Sequence, residues 1–389
     1  MWNLKLFGFI SLMILAGCKT DKTKTSSTSE KFNNEYSTRF IIDSYDDYRK
    51  ITVINPWQGA EGKHFEYYIT DDTALLPQGI EKSKIIISPV KSIVCTSTTH
   101  IAMLDVLDRI NLVEGVSGSD FVFNEELRKK IDSGDVYDVG HENGYNTELI
   151  YSIDPDIVLV CSVGSESVPA FNRLSEQGIT VMYIADYLET HPLARTEWIK
   201  VYGELLNRQE EAKKIFREVK NEYKSIVEQI DILYKNKPGV LLGLPFKDKW
   251  FVSPGNSYIS KLIEDAGGNY LWSELQSNVS VPMSLEAVCS KAVNADIWLN
   301  TGTAMTINNI RMTDQRLADL PVLSQGSVFN NNKRLNRYGG NDYWESGTVN
   351  PHILLKDIAS ILNPDLFPGH ELVYYTQLKD QANAPDDNR

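Results

Sequence analysis

Cysteine is scarce in this sequence of 389 residues, where only Cys18, Cys95, Cys161 and Cys289 occur. No CxxC pair is present, and no cysteine stands with histidine at the spacing of a zinc site. Cys95 and Cys161 lie in apolar runs typical of buried strands, which predicts inert packing thiols. The six histidines show no short-range ligand spacing either. We therefore predict no metal held directly by the protein.

Motifs for covalent chemistry and nucleotide binding are also missing. The sequence has no G-x-S-x-G elbow, no P-loop and no G-x-G-x-x-G. Ser97 and His100 are the only local hint of a nucleophile with its base. A hydrolase or chelatase with a spatially assembled Ser-His-Asp site is thus an alternative, but we predict no enzyme.

Positive charge is in deficit, with a formal net charge of −13 at pH 7. This balance disfavours nucleic-acid binding and an extended basic membrane face. It does not exclude a small, local positive pocket.

The N-terminus lacks an apolar run long enough for a usual membrane span. A charged start at Lys5 precedes an apolar core over 6–16, which ends in Leu-Ala-Gly-Cys at Cys18. This quartet resembles the bacterial lipoprotein box, which implies a signal peptide over 1–17 and lipidation of Cys18. The alternative is a plain secretory peptide with a chance cysteine. We expect residues 18–39 to serve as lipid anchor and flexible tether, because Lys19–Lys31 holds only polar residues.

The longest helical pattern runs from Thr196 to Ile230, with one apolar stripe and no proline. At the α-helical rise it would extend roughly 50 Å. We interpret it as a stiff helix joining two lobes, within a linker over 193–236. The alternative is a long amphipathic helix inside one large domain.

Strands alternate with helices on both sides of this helix, which predicts mostly parallel sheets in two Rossmann-like α/β lobes. The predicted N-terminal lobe, 40–192, begins with an antiparallel ribbon over about 40–70, and the C-terminal lobe covers 237–389. Ligands of parallel sheets gather where strands end. One rim should therefore carry the loops Ser97–His100, Asp120–Phe121, His141–Tyr145 and Val163–Gly164. The hydroxyl-rich turn at Thr96–Thr99 suits an anion or an ordinary helix cap.

The two halves share a local pattern. Asn146–Ile150 and Ser284–Val288 each give a cap residue, a glutamate two positions on and two apolar residues. Glu148 and Glu286 are these glutamates, and an aspartate opens a buried strand after each helix. The spacings from glutamate to aspartate differ, so the copies are similar rather than identical.

The lipobox, two lobes, one long helix and paired glutamates resemble the substrate-binding proteins of importers for iron–siderophore complexes and cobalamin. The resemblance covers roughly Lys84–Pro364. It implies capture of a metal chelate between the lobes, with no covalently bound cofactor, and delivery to an ABC-type permease and its ATPase. It also implies that Glu148 and Glu286 dock into arginine pockets of the permease. The alternative role for each is a first-turn carboxylate serving the helix dipole.

Aromatic and polar residues on the predicted loops are the candidate ligand contacts, because aromatic rings in a cleft offer broad contact area. The candidates are Ser97, Thr98, His100, Asp120, Phe121, His141, Tyr145, Phe246, Trp250, Phe251, Met283, Arg337, Tyr343 and Trp344. Arg334 and Arg337 could meet anionic chelate oxygens, which favours a ferric chelate slightly over a corrinoid or haem.

The expected location is the cell envelope, where a monomer would be held near a membrane only by its lipid. A surface scavenger or adhesin that imports nothing is a third class of function left open by the residues.

Overall fold

The computed structural model describes residues 30–32, 34–141, 144–233 and 237–380. The predicted signal peptide, the lipidation site at Cys18 and most of the predicted tether lie outside the described residues.

A five-stranded sheet opens the described chain, in the order β1-β2-β3-β4-β5. Its strands are β1 (Glu30–Phe32), β2 (Phe40–Ser44), β3 (Arg49–Ile54), β4 (His64–Thr70) and β5 (Ile85–Ile87). Neighbouring strands are antiparallel except β4 and β5, which pair parallel. Strands β2, β3 and β4 lie where the sequence predicts an antiparallel ribbon and β5 extends it, whereas β1 lies within residues 18–39, where the sequence predicts a tether.

The first lobe is built on a parallel sheet in the order β10-β9-β6-β7-β8. Its strands are β6 (Ile93–Cys95), β7 (Val113–Val116), β8 (Tyr137–Asp138), β9 (Ile157–Val160) and β10 (Val181–Tyr183). The helices between them are α1 (Thr98–Val106), α2 (Glu125–Ser133), α3 (Thr147–Ile153) and α4 (Val168–Glu176). Strand β9 is buried along its whole length, as expected of a parallel strand covered on both faces.

The predicted unbroken helix over 196–230 is wrong, because the chain turns between two helices. The segments here are α5 (Pro192–Glu197), α6 (Ile199–Leu205) and α7 (Gln209–Leu233). Asn207 adopts a left-handed φ of 54°, and the N–H of Arg208 donates to the carbonyl of Gly203 at 2.8 Å. This closes the end of α6, since asparagine tolerates the left-handed region better than most residues.

Helix α7 remains the longest described helix, at 25 residues or about 37 Å. It contacts α6, which precedes it in the link, and the last helix of the second lobe, α12 (Pro351–Leu362). Its buried side chains include Ala212, Phe216, Tyr223, Ile226 and Ile230. The predicted apolar stripe is therefore buried against α6 and α12 and is not a free strut.

The second lobe repeats the plan with a sheet in the order β13-β11-β15-β16-β17, parallel except for β17. Its strands are β11 (Gly239–Leu242), β13 (Asn269–Tyr270), β15 (Ile297–Leu299), β16 (Val328–Asn330) and β17 (Thr376–Gln377). A separate ribbon pairs β12 (Lys249–Val252) with β14 (Val281–Ser284). The remaining helices are α8 (Tyr258–Asp265), α9 (Leu285–Ala292), α10 (Ile307–Thr313) and α11 (Pro321–Ser324). The prediction of an α/β protein with mostly parallel sheets is confirmed.

Two buried carboxylates fix the chain where it enters the first lobe. Glu197 accepts from the backbone N–H groups of residues 35–37 at 2.8–2.9 Å. Glu189 accepts from the N–H of Arg39 at 3.1 Å and from Trp198 Nε1 at 3.1 Å. These bonds hold residues 35–39 against the helices that link the lobes.

The loop that follows β16 crosses from the second lobe to the first. The Glu345 carboxylate accepts from the backbone N–H groups of Phe123 and Asn124, at 2.8 and 2.7 Å. These N–H groups stand just before α2 and at its N-cap, where no carbonyl of the helix can accept from them. Glu345 is 3% exposed, so the bond between the lobes is shielded from water.

Two further contacts bring this loop close to the first lobe. Asn336 Nδ2 donates to the carbonyls of Asp120 and Val122 at 2.9 and 2.8 Å. A Cβ on Gly340 would stand 2.6 Å from the carbonyl oxygen of Phe121, so only glycine allows this approach. The loop at 334–345 and the segment at 120–124 form one packed seam.

We expect Glu345→Gln to change how stability depends on pH. Burial raises the pKa of Glu345 to about 8, whereas a glutamate in an unfolded chain has a pKa of about 4.3. Between these values the folded chain holds a proton that the unfolded chain releases. The contribution of Glu345 to the free energy of unfolding is complete below about pH 4 and is lost as the pH rises towards about 8. The free energy of unfolding of the wild type, relative to Glu345→Gln, should fall over this range in urea denaturation.

Glu345→Ala should cost about 1–3 kcal/mol near pH 4, because two backbone donors lose their buried acceptor, and this cost should shrink as the pH rises in parallel with that of Glu345→Gln. Exposed Glu274 provides the matched control, and Glu274→Gln should change neither the free energy of unfolding nor its dependence on pH. A difference between wild type and Glu345→Gln that stays constant with pH would contradict this account of the titration.

Candidate ligand-binding cleft

A cleft of about 1220 Å³ lies between the two lobes, lined by loops from both. The loops follow β6, β7, β8 and β9 in the first lobe and β15 and β16 in the second. Both sets leave the carboxyl ends of parallel strands, where ligands of such sheets are bound. The rim predicted for the first lobe is thus brought together, and the second lobe faces it.

Helix caps and close backbone contacts shape the first-lobe wall. Ser97 caps α1 by accepting from the N–H of Thr99 at 3.3 Å. Phe121 is 57% exposed and folds over Gly118, where an added Cβ would stand 2.7 Å from its ring. Tyr145 packs on Phe171 with ring centroids 4.8 Å apart. The wall therefore presents hydroxyl groups and the faces of fixed aromatic rings.

Asparagines organise the second-lobe wall. Asn330 Nδ2 donates to the carbonyls of Gly302 and Ala304 at 2.9 Å, and Asn332 Nδ2 donates to Ala304 at 3.2 Å. These bonds tie the loop after β15 to the loop after β16. Asn341 Nδ2 donates to the carbonyl of Asn331 at 3.0 Å and extends the same network.

Most of the residues that line the cleft are of polar types, but few of them carry charge. Five residues with carboxamide side chains line the cleft, namely Gln58, Asn300, Asn331, Asn332 and Asn341. Serine and threonine hydroxyls accompany them on both walls. Within the described residues, no lysine or arginine lines the cleft, and Glu166 is the one carboxylate. Burial raises the pKa of the Cys161 thiol, so this lining cysteine stays uncharged at neutral pH.

The structure places about half of the predicted contacts on the cleft wall. Those that line it are Ser97, Thr98, Phe121, His141, Tyr145 and Trp344. Those that do not are His100, Asp120, Phe246, Trp250, Phe251, Met283, Arg337 and Tyr343.

The prediction that His100 lines the cleft is wrong, because its side chain points from α1 into the protein core. Its side chain is fully buried, and burial lowers its pKa to about 3. Neither ring nitrogen has a hydrogen-bond partner. Ser97 Oγ instead lies 3.0 Å from Thr99 Oγ1. The hinted pairing of Ser97 with His100 is not formed.

Three of the four residues predicted near 246–283 belong to the β12–β14 ribbon, away from the cleft. Alternation along β12 turns Trp250 inward and Phe251 outward. Trp250 is 1% exposed, stacks on Trp298 at 5.8 Å and donates to the carbonyl of Leu242. Met283 packs on the core from β14, whereas Phe246, just before the ribbon, is exposed.

The other residues that were wrongly predicted to contact the ligand in the cleft lie at the seam between the lobes. Arg337 pairs with Asp132 of the first lobe at 2.8 Å, and Arg334 pairs with Asp342 at 2.7 Å. Neither arginine lines the cleft. Tyr343 is buried behind Trp344, with ring centroids 4.7 Å apart. Asp120 is exposed outside the cleft, where its backbone carbonyl accepts from Asn336.

Several lining residues were not predicted, above all the carboxamides and Met305. Asparagine is a common turn residue, so its presence in loops gave no separate signal of binding. The run at 330–332, which begins at the last residue of strand β16, is the one pattern that could have pointed to them.

The paired glutamates occupy the predicted helix starts. Glu148 is exposed in the first turn of α3, after the cap Asn146. Glu286 is exposed in the first turn of α9 and forms an ion pair with Arg316. A hydrogen bond from its own backbone N–H and the charge of Arg316 lower the pKa of Glu286.

The described ranges contain no group of three or more His, Cys, Asp and Glu side chains arranged to hold a metal ion. No helix in that part of the chain combines the length and apolar character needed to cross a membrane.

Comparison with known proteins supports the same architecture. Over its full length the chain is 23% identical to an uncharacterized lipoprotein of Methanocaldococcus jannaschii, covering 99% of this chain and 98% of the relative. An ABC transporter substrate-binding protein from Listeria monocytogenes matches 70% of this chain and 99% of its own, at 19% identity and a TM-score of 0.53. A periplasmic heme binding protein from Pseudomonas aeruginosa matches 76% of this chain and all of its own, at 14% identity and a TM-score of 0.57.

These structural likenesses establish the two-lobed fold. The periplasmic binding protein family model matches residues 93–334, which include the whole first sheet, the parallel strands of the second, the linking helices and most of the cleft lining. The chain belongs to the periplasmic binding protein family.

Proposed function

We propose that this protein captures a metal chelate of little net charge between its lobes and delivers it to an ABC-type permease. Binding proteins of this family work with such a permease and its ATPase. The observation that carries the proposal is the lining of the cleft, with five carboxamides and no described lysine or arginine.

Ligand charge follows from that lining. A strongly anionic chelate loses its hydration on entering a cleft and needs cationic partners there. The two arginines that favoured such a ligand, Arg334 and Arg337, are paired with aspartates outside the cleft. Carboxamides and hydroxyls both donate and accept, so they suit a ligand with an amide-rich or hydroxamate-rich edge.

Ligand size and shape support the same class. The cleft of about 1220 Å³ exceeds the usual range for drug-sized ligands, which is about 300–1,000 Å³. Phe121, Tyr145 and Trp344 offer ring faces for a broad planar surface. A corrinoid or a neutral ferric hydroxamate meets both criteria. Haem, the ligand of the Pseudomonas aeruginosa protein, meets the shape but carries carboxylates.

Delivery would use Glu148 and Glu286. Both are exposed carboxylates at helix starts, one on each lobe, and can accept bidentate bonds from arginine. Glu286 would exchange its ion pair with Arg316 for one with the permease. Such an exchange is inexpensive because exposed ion pairs contribute little stability.

Anchoring would use Cys18. The Methanocaldococcus jannaschii relative that matches 99% of this chain is named a lipoprotein. Lipid on Cys18 would hold the body at the cell envelope, within reach of the permease.

We expect cyanocobalamin or ferrioxamine B to bind the purified protein and quench its tryptophan emission, and haemin to bind more weakly. Trp344→Ala should weaken binding of the better probe about tenfold, because a ring on the cleft wall is lost. Phe251→Ala is the matched control, since Phe251 is 52% exposed outside the cleft and Trp344 is 54% exposed within it. Tight binding of haemin with none of the other two would contradict the proposed charge of the ligand.

A second prediction concerns delivery. Glu148→Ala and Glu286→Ala should each reduce stimulation of the reconstituted permease's ATPase by the loaded protein, and the double variant should abolish it. Affinity for the ligand should stay unchanged. Exposed Glu176 and Glu274 lie outside helix first turns, and their double alanine variant is the control. Full stimulation by the Glu148/Glu286 double variant would rule out docking through this pair.

A further inference from the structure

The N-terminal sheet reaches the cleft through one residue. Gln58 lies in the loop between β3 and β4 and is part of the cleft lining. This position precedes residues 93–334, the range shared with the family model. Gln58 therefore adds to the cleft lining a residue from the part of the chain that precedes that range.

Buried and hydrogen-bonded neighbours hold the loop that carries Gln58. Trp57 is 3% exposed and packs against Phe65 and Tyr183, with ring centroids 5.7 and 5.2 Å away. Asn55 adopts a φ of 47° and its Oδ1 accepts from the N–H of Gly62 at 2.8 Å. Gln58 is thus presented by a fixed turn.

The same loop holds the neighbouring cleft wall in place. The N–H of Gln58 donates to the carbonyl of Val163 at 3.0 Å. Tyr187 Oη donates to the carbonyls of Ser162 and Val163 at 2.8 and 3.1 Å. Both contacts fix the start of the segment that brings Glu166 and Ser167 to the cleft.

We propose that the N-terminal sheet is a recognition element of the cleft, in which the Gln58 carboxamide contacts the bound ligand. This inference rests on the proposed function and deepens it. A primary amide supplies donors and an acceptor, so Gln58 selects a ligand whose edge at this end is polar and uncharged. The Gln58 side chain is exposed and its backbone is bonded to Val163, which together place the carboxamide at the end of the cleft beside the N-terminal sheet.

The test measures affinity by tryptophan quenching with cyanocobalamin, ferrioxamine B and haemin, for the wild type, Gln58→Ala and Glu61→Ala. Glu61 is exposed in the same loop but does not line the cleft. Gln58→Ala should bind the best wild-type probe roughly 3- to 10-fold more weakly, the effect of losing one hydrogen bond. Glu61→Ala should bind it as the wild type does. Thermal unfolding should be the same for all three proteins.

The outcomes separate the two proposals. If the wild type binds none of the probes, the proposed function fails and this inference with it. If the wild type binds one and Gln58→Ala binds it equally well, only the role of Gln58 is overturned. An equal loss in Glu61→Ala would assign the effect to the loop in general and would also overturn it.

Discussion

The hydrogen bonds between Glu345 and the start of α2 hold the two lobes together beside the cleft. The Glu345 carboxyl group arrives from the second lobe and meets two backbone donors of the first. Phe121 and Trp344, which flank these bonds in sequence, both line the cleft. Since rigid elements hold both partners, the distance between the facing walls is set at this seam. The two sheets supply the loops, and the seam sets their separation.

Sequence periodicity was sufficient for the sheets but not for the linker. Strands such as β9 are fully apolar and follow a polar turn, so their place in a parallel sheet could be predicted. The break at Asn207 could not, because the apolar stripe continues on both sides of it. Only the run of five polar residues over 207–211 hinted at the turn. A single residue in the left-handed conformation can interrupt a helix without interrupting the apolar pattern of the sequence.

The sequence predicted where the cleft lies but not which types of residue line it. Loops after strands in the first lobe were placed correctly because strand ends share one edge. Aromatic residues of the second lobe misled, since Trp250 and Tyr343 are large and their burial in the core satisfies them. Asparagines line the second-lobe side of the cleft instead of these two aromatic residues, and sequence analysis missed them because asparagine is common in turns. Contacts between distant segments, such as Gln58 with Val163, leave no local trace in the sequence.

The N-terminal sheet also protects the edge of the first lobe. Strand β10 ends the parallel sheet, and its Tyr183 N–H points away from β9. That donor is bonded to the hydroxyl of Tyr67 at 3.1 Å, so a side chain rather than another strand covers it. An uncovered edge strand invites pairing with a second molecule and aggregation. The N-terminal sheet therefore removes one backbone donor to which a second molecule could pair at this edge.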